Sequence, residues 1–260
     1  MVSASGQRQD VGALTLRVPT LRKDAWWVAP LITGLVLGGF VVYATWAALV
    51  NNHYYTRPYL SPFYSPCLTS DCKEQTWRIV SWWHISPALL ILPFPLGFRL
   101  TCYYYRKAYY RAFFWAPPAC AVRDLPRRYT GERRFPYILQ NSHRYFFYLT
   151  LPFPIILLWE GIRAFRFPGG IGMGVGTLIL LVNAGLLGAY TLSCHSCRHL
   201  CGGNLDSFST APVRHRLWKA LSKLNHHHME IAWVSLFGVA LTDLYVRLVA
   251  TGAIRDLRFF

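Results

Sequence analysis

The chain has 260 residues, 53% of them hydrophobic and 15% charged, with a formal net charge of +16. A soluble domain carries about 25% charged residues, so a water-soluble globule is excluded as the main body. The basic excess alone would suit nucleic acid, but the long apolar runs and an aromatic share of 16% point to a bilayer and its interfaces, and to no nucleic-acid partner.

A membrane-crossing helix needs about 20 mostly apolar residues. Residues 1–25 are too polar for that and lack the apolar core of a cleavable signal peptide, so they read as a cytoplasmic tail. Residues 26–255 then form a single transmembrane domain. Five runs qualify as spans, at about 26–50, 81–105, 138–165, 171–193 and 228–250. Pro87, Pro93 and Pro95 should kink the second, and Pro152 and Pro154 the third. The expected fold is an all-α membrane protein, a bundle of five transmembrane helices.

The tail, the second–third connection and the fourth–fifth connection hold about twice as many Lys and Arg as the other side. The basic side is cytoplasmic by the positive-inside tendency. The N-terminus is therefore expected in the cytoplasm and the C-terminus outside. Cys67 and Cys72 fall on the outer side, where an oxidising compartment permits a disulfide. Cys102, Cys120, Cys194, Cys197 and Cys201 fall at the inner face, where thiols stay reduced.

Histidines gather at the same depth. His143 opens the third span, His195 and His199 close the fourth, and His226, His227 and His228 open the fifth. His195 and His199 are four apart, so one helical face can carry both. Cys194, Cys197 and Cys201 follow an i, i+3, i+7 pattern on a neighbouring face. Ionisable residues at membrane depth are costly and mark functional sites. Three centres suit these donors. An iron–sulfur cluster uses thiolates, with two His in a Rieske centre. A b haem would use two facing imidazoles, His143 with His195, His199 or His228. A structural zinc would mix both donor types. Cys120 is either a ligand on a loop folded back under the bundle or an ordinary loop thiol. Cys102, inside LTCYYYRK, reads as small-residue packing.

GGIGMGVG, residues 169–176, lacks the preceding strand and the Lys-Ser or Lys-Thr of a phosphate loop. Its paired glycines suit close helix contact. The Tyr- and Arg-rich run 103–115 follows a span directly, so anionic lipid headgroups or an acidic partner protein are its expected neighbours.

The stretches SWWHISPALLILPFPLGFRLTCYYYRKAYYRAFFWAPPACAV, YTGERRFPYILQNSHRYFFY, YTLSCHSCRHLCGG and KLNHHHMEIAW resemble the single-chain, SdhC-like membrane anchor of actinobacterial succinate dehydrogenase, respiratory complex II. The resemblance implies a multi-pass subunit in the plasma membrane of a bacterium. Its partners would be a flavoprotein subunit, which oxidises succinate, and an iron–sulfur subunit, with electrons passing to a quinone, expected to be menaquinone. Five-helix anchors of other branches bind two b haems, whereas the branch resembled here carries a Rieske-type 2Fe-2S cluster. Carried onto this chain, the ligand candidates are Cys194, His195, His199 and His228, with Cys120 and His143 as further members, while Cys197 is either a ligand or, like Cys201, a neighbour of the set. A quinone site needs an apolar slot with one or two polar groups. In the outer half these would be His84, Trp83 and Ser86, and in the inner half Arg99 or Tyr103. The competing readings are a haem b cytochrome subunit and a non-redox membrane scaffold.

Overall fold

A computed structural model describes residues 23–67, 72, 77–80, 83–116, 133–135, 137–203 and 205–260. The segment holding Cys120 and most of the predicted N-terminal tail lie outside the described residues.

Among the described residues, four helical segments are long and apolar enough to cross a bilayer: Val28–Val50, Ile138–Arg163, Val175–Leu192 and His228–Ala250. At about 1.5 Å per residue, 23 residues rise about 34 Å, enough for a hydrocarbon core of about 30 Å. The first is helix α1 (Val28–Val50), and it turns much of its surface outward, with Leu35 and Val42 about two-thirds exposed. Such a face suits lipid. A hairpin of β1 (Tyr55–Thr56) and β2 (Tyr59–Leu60) follows. The Cys67–Cys72 disulfide forms, with 5.5 Å between the Cα atoms.

The predicted second span is interrupted. Its first described residues form β4 (Trp83–Ile85), which pairs antiparallel with β3 (Trp77–Val80) just ahead of the predicted span, and not a helix. Helix then comes in three pieces, α2 (Pro87–Ile91), α3 (Pro93–Thr101) and α4 (Tyr103–Tyr109). Pro87 and Pro93 each open a piece, where a missing N–H costs nothing. Cys102 separates the last two, with an extended backbone at φ −61°, ψ 129°.

The third span is α5 (His143–Thr150) and α6 (Pro152–Arg163), divided at Leu151 ahead of Pro152. A short hairpin, β5 (Arg166–Phe167) and β6 (Gly170–Ile171), leads to α7 (Val175–Leu192). The fourth span thus starts a turn later than predicted. The helices α8 (His195–Gly202) and α9 (Pro212–His226) occupy the predicted fourth–fifth connection, and α10 (His228–Ala250) fills the fifth span.

Small residues set the helix approaches, as membrane packing requires. A Cβ on Gly97 of α3 would overlap the Phe146 ring of α5, and one on Gly161 of α6 would reach within 2.8 Å of Leu181 on α7. The glycines at 174 and 176 also mark a close approach, though to side chains and not to a helix. A Cβ on Gly176 would sit 2.6 Å from the Tyr59 ring. The approach of α3 to α5 matters most for function, because it carries Thr101 to His143.

Candidate metal centre

Two thiols and two imidazoles stand, as two pairs, where α4, α5, α8 and α10 begin. Cys102 is the N-cap of α4 and Cys194 the N-cap of α8. His143 is the first residue of α5 and His228 the first of α10. The extended backbone at both caps turns each thiol out of its helix and across to a neighbour. His143 Nε2 lies 3.1 Å from Cys194 Sγ, and His228 Nε2 lies 3.3 Å from Cys102 Sγ. Both cysteines are almost fully buried.

Aromatic rings hold the imidazoles flat. His143 stacks on Phe98 at 4.9 Å and 7° between planes, and His228 on Tyr190 at 5.2 Å and 11°. Phe98 and Tyr190 touch edge to face at 5.2 Å, so the two stacks form one block. The far ring nitrogens meet hydroxyls, His143 Nδ1 with Thr101 Oγ1 at 2.9 Å and His228 Nδ1 with Ser193 Oγ at 2.7 Å. Both pairs line one cavity of about 710 Å³. Arg106 and Arg144 also line it, and no Asp or Glu does among the described residues.

Burial pushes the Cys194 thiol up to about 12, with the nearby Cys102 sulfur adding to the effect. A helix N-terminus lowers a thiol pKa, but burial prevails here. The thiol is therefore neutral in the protein alone, and a cation would have to displace its proton.

The sequence-predicted donors separate in space. Cys194, His143 and His228 come together with Cys102, the residue read from sequence as packing. Its one signal was depth, since it sits at the inner end of its span like the others. His195 lines the cavity rim, and desolvation there, with Arg198 beside it, lowers its pKa. Cys197 turns into the hydrophobic core, where burial raises its thiol to about 11. His199 is exposed, its Nδ1 3.4 Å from Arg144. Among the described residues no three His, Cys, Asp or Glu side chains converge on one ion position. The donors stand as two pairs.

The quinone-site expectations divide similarly. Trp83 and His84 lie on β4, not at a helix start. Ser86 is engaged in structure: it caps α2 by accepting from the Ala88 N–H and donates to the Tyr64 hydroxyl at 3.2 Å. Tyr103 is mostly exposed and lines the metal-side cavity under Arg106. Arg99 is buried, donates to Tyr105 and Ser235, and lies 4.5 Å over the Tyr190 ring. It also lines a second, mostly apolar cavity of about 280 Å³ between α1, α3 and α6, with Val239 of α10 at its wall.

The sequence pattern of the family described as "Actinobacterial succinate dehydrogenase subunit SdhC" matches residues 28–252. Among solved structures the chain is similar to one from the Mycobacterium smegmatis Sdh1 complex in the apo form. The two share 50% identity over 93% of this chain and 94% of that one, with a TM-score of 0.84. No curated protein matches the chain.

Proposed function

From the premise that the chain belongs to the family of actinobacterial succinate dehydrogenase SdhC subunits, we propose that it carries electrons from its partner subunits to a quinone through a Rieske-type 2Fe-2S cluster. The partners are a flavoprotein subunit, where succinate is oxidised, and an iron–sulfur subunit seated at the thiol–imidazole end. The broken second segment counts as a membrane span in this reading, which makes five. The basic excess supports a cytoplasmic thiol–imidazole end, with the N-terminus on the same side and the C-terminus outside.

One observation carries the reading: two thiols and two imidazoles, as two pairs, face a single cavity. Two Cys and two His are the donor count of a Rieske centre, with the His pair on one iron. The ligands are therefore Cys102, Cys194, His143 and His228. When bound, the cluster supplies one-electron transfer. The chain's own residues do the rest. Phe98 and Tyr190 lock the ring planes, while burial of the two thiols keeps water from their sulfurs. The two thiols beside the imidazoles are donors that a b haem held between two histidines does not use.

The quinone belongs in the apolar cavity beside Arg99. Its volume is near the lower end of the about 300–1,000 Å³ usual for small-molecule sites. Among the described residues Arg99 has no carboxylate partner, so its guanidinium can donate to a quinone carbonyl. Tyr190 lies between Arg99 and His228, which puts this slot one ring away from the proposed ligands.

The purified complex should show a 2Fe-2S EPR signal, with iron and acid-labile sulfide in excess of the partner subunit's clusters. Cys102→Ser or His228→Ala should abolish that signal and quinone reduction, while succinate oxidation by a soluble acceptor continues. Cys197→Ser and His199→Ala should keep both. A sharp reduced-haem α band without the cluster signal overturns the proposal.

A further inference from the structure

Both imidazoles are held by hydroxyls whose single protons are already committed. Thr101 Oγ1 donates to the Gly97 carbonyl at 2.7 Å, one turn back along α3. Ser193 Oγ donates to the Tyr190 carbonyl at 2.9 Å, at the end of α7. A hydroxyl has one proton and two lone pairs. With the proton on a carbonyl, the contact to a ring nitrogen holds only if the ring donates. His143 Nδ1 and His228 Nδ1 therefore carry the ring protons. Each ring is then left with its lone pair on Nε2, the nitrogen that faces Cys194 or Cys102. The same device occurs twice on unrelated elements: α3 serves α5, and α7 serves α10.

We propose that Thr101 and Ser193 are positioning residues that fix the Nδ1–H tautomer of His143 and His228, so that Nε2 is the ligating atom of both. The proposal rests on the cluster reading above. Neither hydroxyl touches the iron. Each acts through its histidine, as the outer partners of metal-bound imidazoles do. The placement is rigid, because both hydroxyls are buried or nearly so and anchored to helix backbone.

The test uses the intact complex, made with histidine 15N-labelled at Nε2 only or at Nδ1 only and reduced for pulsed EPR. The Nε2 label should give the strong coupling of a directly bonded nitrogen, and the Nδ1 label only a weak remote one. Thr101→Val and Ser193→Ala should each shift the g values and midpoint potential, and speed cluster loss to a chelator about 10–100-fold, the usual cost of a lost outer partner. Thr101→Ser should restore the parent behaviour. Strong coupling from the Nδ1 label overturns this proposal and leaves the cluster reading intact. Unchanged spectra and stability in both variants also overturn it. A parent complex with intact partners and no additional 2Fe-2S signal overturns the cluster reading, and this proposal with it.

Discussion

The two ends of the helix bundle hold their helices by opposite means. At the thiol–imidazole end the buried polar groups pair through sulfur and hydroxyls around open space, and the buried Arg99 has no carboxylate partner among the described residues. At the other end they are charged and saturated. Arg247 Nε bonds Asp243 Oδ2 at 2.8 Å, and both side chains are buried. Asp243 also accepts from the Tyr43 hydroxyl at 2.6 Å and from Ser61. The Arg247 guanidinium reaches the Ala47 carbonyl at 2.9 Å and the Asn52 carbonyl at 2.7 Å. This knot ties α10 to α1, whose outward face gives it little other burial. A second carboxylate, Asp256, takes the hydroxyls of Tyr59 and Tyr245 at 2.5 Å each and the Gly176 N–H at 2.9 Å. One end is thus built to fasten helices. The other is built with lone pairs and space for something else.

Breaking the charged knot should give the largest effect on stability. Removing one partner of a buried ion pair costs about 3–5 kcal/mol, because the other charge is left uncompensated. Asp243→Ala should therefore unfold the detergent-solubilised complex at clearly lower temperature, or stop it assembling. Cys102→Ser is the matching change at the opposite end. It should remove the cluster signal and, with the cluster's binding free energy lost, lower the unfolding temperature by less than Asp243→Ala does. If the two variants lost equal stability, the contrast between the ends would fail.

Asp256→Asn comes next. An amide keeps the shape but loses the charge, and a hydrogen bond to a charged group contributes about 1.5–3 kcal/mol. Burial together with the carboxylate raises the Tyr59 phenol above its ordinary range, so it remains a donor at any neutral pH. The loss should therefore be the same at pH 6 and pH 8. Cys67→Ser should have a similar or smaller effect. Opening so short a loop gives back about 2 kcal/mol of chain entropy in the loop-closure treatment. The unfolding midpoint of that variant should also no longer respond to reductant.

Four of the five predicted spans were legible because an uninterrupted apolar run has few alternatives to a helix. The second was less so. Proline spacing indicated kinks, but not that Trp77–Val80 would pair with Trp83–Ile85 before the first helical residue. Three of the four proposed donors were legible, mixed with others that point elsewhere, and the reason is geometric. SCHSCRHLCGG puts five candidates on one short helix, and a helix sends such neighbours in different directions. Cys194, at the cap, reaches α5. Cys197, one turn on, enters the core, and His199 meets solvent beside Arg144. The partner that completes the set, Cys102, stands alone in an apolar run far away in sequence. Only the packing of α10 against the second segment joins it to His228. The helix α9 was hidden for another reason, since its basic face reads as a loop until Pro212 is recognised as a first-turn residue.

The smallest expected effect separates the two free cysteines that, among the described residues, stand outside the pairs. Cys197 is buried in the core with its thiol raised to about 11, while Cys201 is partly exposed beside it. The neutral thiol is the form that burial favours. Its contribution is intact below the ordinary thiol pKa and fades as pH rises toward about 11. Alkylation needs the thiolate. At pH 8 a maleimide should therefore label Cys201 and leave Cys197 almost untouched, and Cys197 labelling should climb only toward pH 11. Mass spectrometry of the labelled peptide, which contains both, reads the result. Equal labelling at pH 8 would place Cys197 outside the core, and with it the turn that sends Cys194 toward His143.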